Sequence, residues 1–233
     1  MYFLDPTYLV LVMPAVLFAL YAQAMVQSTI SRASRVMSRR GLSGKDVAER
    51  ILRANGLQDV RVMRIGGQGV GDHYDPRSRT VRLSAHVHDK PSVAALGIAA
   101  HEAGHAIQHA RGYAFLLVRN GLAPVVQFGT TLAWPLFLVG LLFASSSRLG
   151  FGLMDVGILL FGGAVLFQVI TLPVEYNASA RAMAALGDLG LVDTGEAAAA
   201  RKVLSAAALT YVAATAAAVM QLLYLLTLRG RRS

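Results

Sequence analysis

His101-Glu102-Ala103-Gly104-His105 is an HExxH motif set within a mostly small, apolar run from Val93 to Ala106. Such a run reads as helix. On a helix, residues i and i+4 share a face, so both imidazoles can reach one zinc ion. Glu102 sits beside them as a general base for water. The helix is predicted from Pro91, a favoured first-turn residue, to Gly112, a favoured stop.

Upstream, residues 27–114 form the one substantial polar region. Ser43 is placed to N-cap a helix through Val47, Ile51 and Leu52 that ends at Asn55-Gly56. Asp59 to Ile65 alternates in strand fashion, and Arg79 to Leu83 alternates with Val81 and Leu83 on one face. Gly66-Gly67-Gln68-Gly69 reads as a turn or loop, and Asp72-His73-Tyr74-Asp75 as a structural turn before Pro76. A helix, two or three strands and then the motif helix is the order of a zincin-like domain. An edge strand beside the metal would be able to pair with an extended substrate.

On either side the chain turns apolar. Leu9 to Val26, Leu116 to Ala144, Leu153 to Leu172 and Ala206 to Leu228 are each long enough to cross a bilayer. Arg119 interrupts the second and Asp155 lies near the start of the third. Hydrophobic residues make up 55% of the chain and charged ones 15%, too few charges for a soluble domain of this length. The fold class expected is a mainly α membrane protein. About four transmembrane helices accompany a small α+β zincin-like domain that carries the HExxH helix. The divisions are an N-terminal anchor over 1–26, the metallopeptidase region over 27–114, and membrane helices over 115–233.

The chain has no cysteine, which excludes disulfides and thiolate metal sites. The formal net charge is +9, but no nucleic-acid reader motif accompanies it, so no nucleic-acid partner is expected. The charge serves orientation instead. Arg32, Arg35, Arg39, Arg40 and Lys45 follow the first apolar stretch, whereas Asp5 and no Lys or Arg precede it. That bias places the N-terminus outside and the polar region in the cytoplasm. Ala22-Gln23-Ala24 resembles a signal-peptide cleavage site, but a basic leader segment is missing, and an uncleaved anchor is expected. Arg229, Arg231 and Arg232 oppose this scheme, because four crossings leave the C-terminus outside. The alternative is that 206–228 does not fully cross.

A catalytic zinc needs a third protein ligand. His109 continues the i, i+4, i+8 series but lies about 12 Å along the axis from His101 at 1.5 Å per residue, too far to share one ion. The metzincin pattern fails, because Gln108 and Arg111 stand where it needs Gly and His. Only Asp155, Glu175, Asp188, Asp193 and Glu196 remain as later carboxylates. Two crossings, 116–144 and 153–172, carry the chain away from the motif's side and back. Asp155 falls at the far side and Glu175 just past the return, inside the polar cluster Glu175-Tyr176-Asn177-Ala178-Ser179-Ala180-Arg181. Glu175 is therefore favoured over a mere solvated helix-end role, within a third-ligand segment over 173–181. Asp188, Asp193 and Glu196 read as loop or cap residues.

HEAGHAIQHARGY, LPVEYNASARA and AALTYVAA resemble the YugP-like family of membrane zinc metallopeptidases. YFLDPTYLVLVMPAVLFALYAQ and GVGDHYDPRSRTVRLS look like the same family, so the resemblance spans nearly the whole chain. It implies a neutral zinc peptidase of a bacterial (inner) membrane. EYNAS is also similar to the EFxAD segment of HtpX-like and CAAX-prenyl-protease-like enzymes, whose Glu binds zinc. Glu175 matches that Glu, while Ser179 stands in place of the Asp.

The function expected is hydrolysis of peptide bonds by a membrane-bound zinc metallopeptidase, with a peptide or membrane-protein substrate. His101, His105 and Glu175 would hold Zn2+, and Glu102 would move the proton. His73, Tyr74, Asn177 and Arg181 are candidate transition-state stabilisers by type and by nearness to the two motifs. Two rivals stand beside this reading. One is a site-2-type intramembrane protease with Asp155 as third ligand. The other is a zinc-binding membrane scaffold without catalysis.

Overall fold

The computed structural model describes residues 5–66, 71–144 and 147–231. Gly67-Gln68-Gly69 of the expected turn and Arg232 lie outside the described residues. The element order is α1 (Pro6–Leu11), α2 (Met13–Ser34), α3 (Gly44–Ala54), β1 (Arg61–Ile65), β2 (His73–Asp75), β3 (Thr80–Ser84), α4 (Ala85–His88), α5 (Val93–Ala110), α6 (Ala114–Phe143), α7 (Arg148–Asp188) and α8 (Thr194–Gly230). The protein is a mainly α membrane protein with a small α+β part. The chain divides into two compact units, one of Gln23–Leu116 with Pro173–Leu209, the other of Met1–Ala22, Leu117–Leu172 and Thr210–Ser233.

In the first unit, α3 starts as its sequence dictates. Ser43 Oγ accepts from Asp46 N–H, and the Asp46 carboxylate accepts from Ser43 N–H, a capping box that satisfies two orphan donors. Val47, Ala48, Ile51 and Leu52 bury one face of this strongly amphipathic helix. That face joins Val81, Leu83, Val87, Leu96, Ala99, Ala100 and Ala103 in one core. The sheet has the order β1-β3-β2. β1 runs parallel to β3 with Val62 opposite Val81, and β2 runs antiparallel with Tyr74 opposite Val81. Burial of Val81 and Leu83 fixes the register, since a one-residue slip would expose both.

The 72–75 segment departs from its expected reading as a turn: His73 to Asp75 are a strand. The turn follows over 76–79, where the Asp75 carboxylate accepts from Arg77 N–H and Ser78 Oγ–H. Its last residue, Arg79, has φ +47. The short helix α4 has no counterpart among the expected elements.

The segment after α2 is stitched to the start of α5. Ser38 N–H donates to Pro91 O, Val93 N–H donates to Val36 O, and Met37 bridges Ser92. Asp193 and Glu196 cap α8 reciprocally, and Glu196 also accepts from Arg39 N–H. Both acids are thus cap residues, as their Gly-containing context predicts.

The second unit is built from the apolar stretches. Four helical segments are long and apolar enough to cross a membrane: Pro6–Ser34, Ala114–Phe143, Arg148–Asp188 and Thr194–Gly230. Phe137, Leu141, Met154 and Leu225 pack as its core, while Val125, Phe128, Leu142 and Leu159 point outward. Outward apolar side chains suit a lipid solvent. Gly157 permits the close pairing of α6 and α7, because a Cβ there would lie 2.7 Å from Ala133 O.

α7 continues for 41 residues through Pro173. It therefore carries both the apolar stretch and the polar cluster at 175–181 on one helix. The EYNAS segment becomes a helical face, with Glu175 and Ser179 one turn apart.

Candidate metal centre

α5 begins at Ser92, whose hydroxyl accepts from Ala95 N–H. The helix then presents His101, Gly104, His105 and Gln108 on one face. This face meets α7. A Cβ on Gly104 would lie 2.6 Å from Ala178 O, so the two backbones approach closely only because residue 104 is glycine. Ala178 and Ala182 on α7 are fully buried and equally small.

That approach brings Glu175 to the two histidines. His101 Nε2 lies 3.2 Å from Glu175 Oε2, and His105 Nε2 lies 3.7 Å from the same oxygen. One donor atom from each of the three residues falls within 4.8 Å of the others. Glu175 is 3% exposed and sits inside the helix, so the alternative of a solvated helix-end glutamate does not hold. A carboxylate this dry needs a positive partner or hydrogen-bond donors.

The imidazoles are held from behind. His101 Nδ1 lies 3.1 Å from Ser179 Oγ, and His105 Nδ1 lies 2.9 Å from Gln108 Oε1. The rings stand edge to face, 4.7 Å between centroids. Glu102 points to the other side of α5, where Tyr74 N–H of β2 donates to Oε2 at 2.9 Å. Burial pushes the Glu102 carboxyl above its ordinary value, against the opposing pull of His101 and His105. Burial alone would lower the His105 imidazolium, but Glu175 and Glu102 outweigh it and hold it raised.

Two imidazole nitrogens and one carboxylate oxygen, with a buried glutamate beside them, match the donor set that hydrolytic zinc sites use. Residues 8–230 match the family described as "Putative neutral zinc metallopeptidase". The chain belongs to this family. It is also 42% identical, over 226 residues, to a curated relative from Bacillus subtilis (strain 168), "Putative membrane protease YugP". The match covers 96% of this chain and 98% of the relative. No solved structure matches the chain.

The residues present fit the metal that the family description names. A tetrahedral ion with bonds of about 2.0–2.1 Å holds its donors about 3.4 Å apart, close to the separations from Glu175 Oε2 given above. Three protein donors are the number that a catalytic zinc would use, with water as the fourth.

The remaining sequence candidates have other engagements. His73 Nδ1 lies 2.8 Å from Gly71 O. The Tyr74 hydroxyl lies 2.9 Å from His109 Nδ1, so His109 braces β2 and is not among the converging donors. Asn177 Oδ1 accepts from Arg181 Nε–H at 2.7 Å and from Gln108 Nε2–H at 3.0 Å. Asp155 belongs to the other unit and forms a two-point ion pair with Arg229, at 2.9 and 3.1 Å. Sequence reasoning missed Gln108 and Ser179 as holders of the imidazoles. The sequence places Gln108 one turn past His105 on the same helix face, but only its burial in the fold shows that its amide has to bond something there.

Proposed function

We propose that this protein is a membrane-bound zinc metalloendopeptidase of gluzincin type, with its active site on the cytoplasmic face of a bacterial inner membrane. His101, His105 and Glu175 would hold the zinc, and Glu102 is the general base. The observation that carries the reading is the convergence of His101 and His105 with Glu175, 74 positions on from His101, into one largely buried N2O donor set. When bound, the ion would polarise a peptide carbonyl and acidify water.

The chain's own groups supply the rest. Glu102 is oriented by Tyr74 N–H, which leaves Oε1 to meet a water. Its burial raises the carboxyl toward the working range of a proton shuttle, so it can take a proton from water and return it to the leaving amine. β2 is the outer strand of the sheet among the described residues and touches Glu102 through Tyr74 N–H, a placement that supports an extended peptide lying beside the base. The engaged side chains of Asn177 and Tyr74 argue for structural duties over oxyanion stabilisation.

The site-2 alternative requires Asp155 as third ligand, and the ion pair to Arg229 argues against it. Zinc content decides between them. Glu175→Ala is expected to lose stoichiometric zinc and Asp155→Ala to retain it, measured on the detergent-purified protein. The reverse pattern overturns the assignment.

A further inference from the structure

Behind His105 a line of side chains runs from one helix to the next. His105 Nδ1 meets Gln108 Oε1 at 2.9 Å. Gln108 Nε2 donates to Val174 O at 2.8 Å and to Asn177 Oδ1 at 3.0 Å. Asn177 Oδ1 also accepts from Arg181 Nε–H at 2.7 Å. Gln108 is wholly buried, and Arg181 is part-buried.

The direction of every bond in this line is forced. A guanidinium only donates, so Asn177 must turn its oxygen to Arg181. A peptide carbonyl only accepts, so Gln108 must turn its amide nitrogen to Val174. The nitrogen then also meets the Asn177 oxygen, and both constraints agree. What remains for His105 is the Gln108 oxygen, an acceptor. His105 Nδ1 must therefore carry a proton, which leaves Nε2 as the atom that would meet the metal.

We infer that Gln108, Asn177 and Arg181 are positioning residues that fix the Nδ1–H tautomer of His105, and so ready Nε2 for the metal. The line starts at Arg181 on α7 and ends at a ligand on α5. It explains why Asn177 and Arg181 stand near the metal motifs without acting on substrate. Its other effect is mechanical: Gln108 ties α5 to the turn of α7 that bears Glu175, so tautomer and ligand spacing are set together. The inference rests on the zinc reading proposed above.

The test uses the full-length protein in detergent, with zinc affinity read by chelator competition and the His105 ring by 15N spectroscopy, assigned against His105→Ala. Gln108→Leu is expected to weaken zinc binding about 10–100-fold and to lose the hydrogen-bonded Nδ1–H signature of His105. Asn177→Leu and Arg181→Ala, which leave the Gln108–Val174 bond in place, are expected to do both to a smaller degree. Asn177→Asp keeps an acceptor for both neighbours and is expected to recover most of what Asn177→Leu loses. Arg181→Ala added to Gln108→Leu should weaken binding no further, since the line is already cut.

A merely structural role predicts otherwise. It would lower the thermal stability of the metal-free protein while leaving the His105 spectrum single and Nδ1-protonated. That result, or additive losses in the double variant, overturns the inference. Arg181→Ala removes no core volume, so the spectrum can be read even if a Gln108 variant fails to fold. Zinc retained by His105→Ala would instead sink the zinc reading itself.

Discussion

Single side chains divide the chemistry between two faces of α5. His101 and His105 turn to α7, and Glu102 turns to β2. Adjacent residues on a helix point about 100° apart, so the proposed general base is kept off the face of the proposed ligands while its backbone stays beside it. Glu102→Gln keeps the shape and the Tyr74 contact but cannot take a proton. Casein hydrolysis is expected to fall about 10²–10⁴-fold with zinc content unchanged, and unchanged hydrolysis would refute the enzyme reading. The HExxH residues were legible in sequence because their spacing is local. Glu175 was legible only by counting crossings. Gln108 was not, because nothing local tells which atom a buried amide will find.

Among the elements, the α5–α7 contact decides the site and α3 supports it. Gly104→Ala places a methyl against Ala178 O and must push the helices apart. Overpacking of this kind costs about 1–3 kcal/mol, and zinc affinity should drop with it, because the displaced pair is the one that bears the proposed ligands. Wild-type melting and wild-type zinc affinity in this variant would contradict the close-contact account.

α3 offers a milder test. Ser43→Ala removes the capping hydroxyl and is expected to cost about 1 kcal/mol, read as a lowered melting temperature. The Asp46 carboxyl is held below its ordinary value of 3.8 by its bonds to Ser43. A depressed folded value means that the stabilisation is complete above that ordinary value and fades as pH falls through the lower one. The gap between wild type and Ser43→Ala should therefore narrow below pH 3.8 and stay constant above it. Strand β2 illustrates what periodicity misses: three residues next to Asp and Pro look like a turn, and only pairing with β3 and the bond to Glu102 make them an edge.

For the chain as a membrane protein, the open question was the arginine-rich C-terminus. Asp5 pairs with Arg231 at 3.0 Å, and Tyr8 packs against Tyr224 at 5.1 Å. Residues near the two termini thus pair within one unit, which agrees with an even number of crossings. α8 is long and apolar enough to be the fourth crossing. Fourteen of the 22 Lys and Arg residues lie between Gln27 and Phe115, which favours the cytoplasm for the motif's side. A reporter active only after export, fused behind Ser233, is expected to be active. The same reporter placed in the polar region after α2 is expected to be silent. The opposite pair of results would reverse the orientation.

Composition and periodicity settled the four spans, the capped helix α3 and the zinc-type motif, because each is a property of neighbours along the chain. Packing settled the rest. That the motif is answered by Glu175, braced by Gln108 and Ser179 and faced by β2 depends on two helix backbones approaching at Gly104 and Ala178. Those residues lie more than 70 positions apart, and no local preference encodes their meeting. The HEAGH stretch names two of the proposed metal ligands, while the close contact of α5 with α7 brings Glu175 to them.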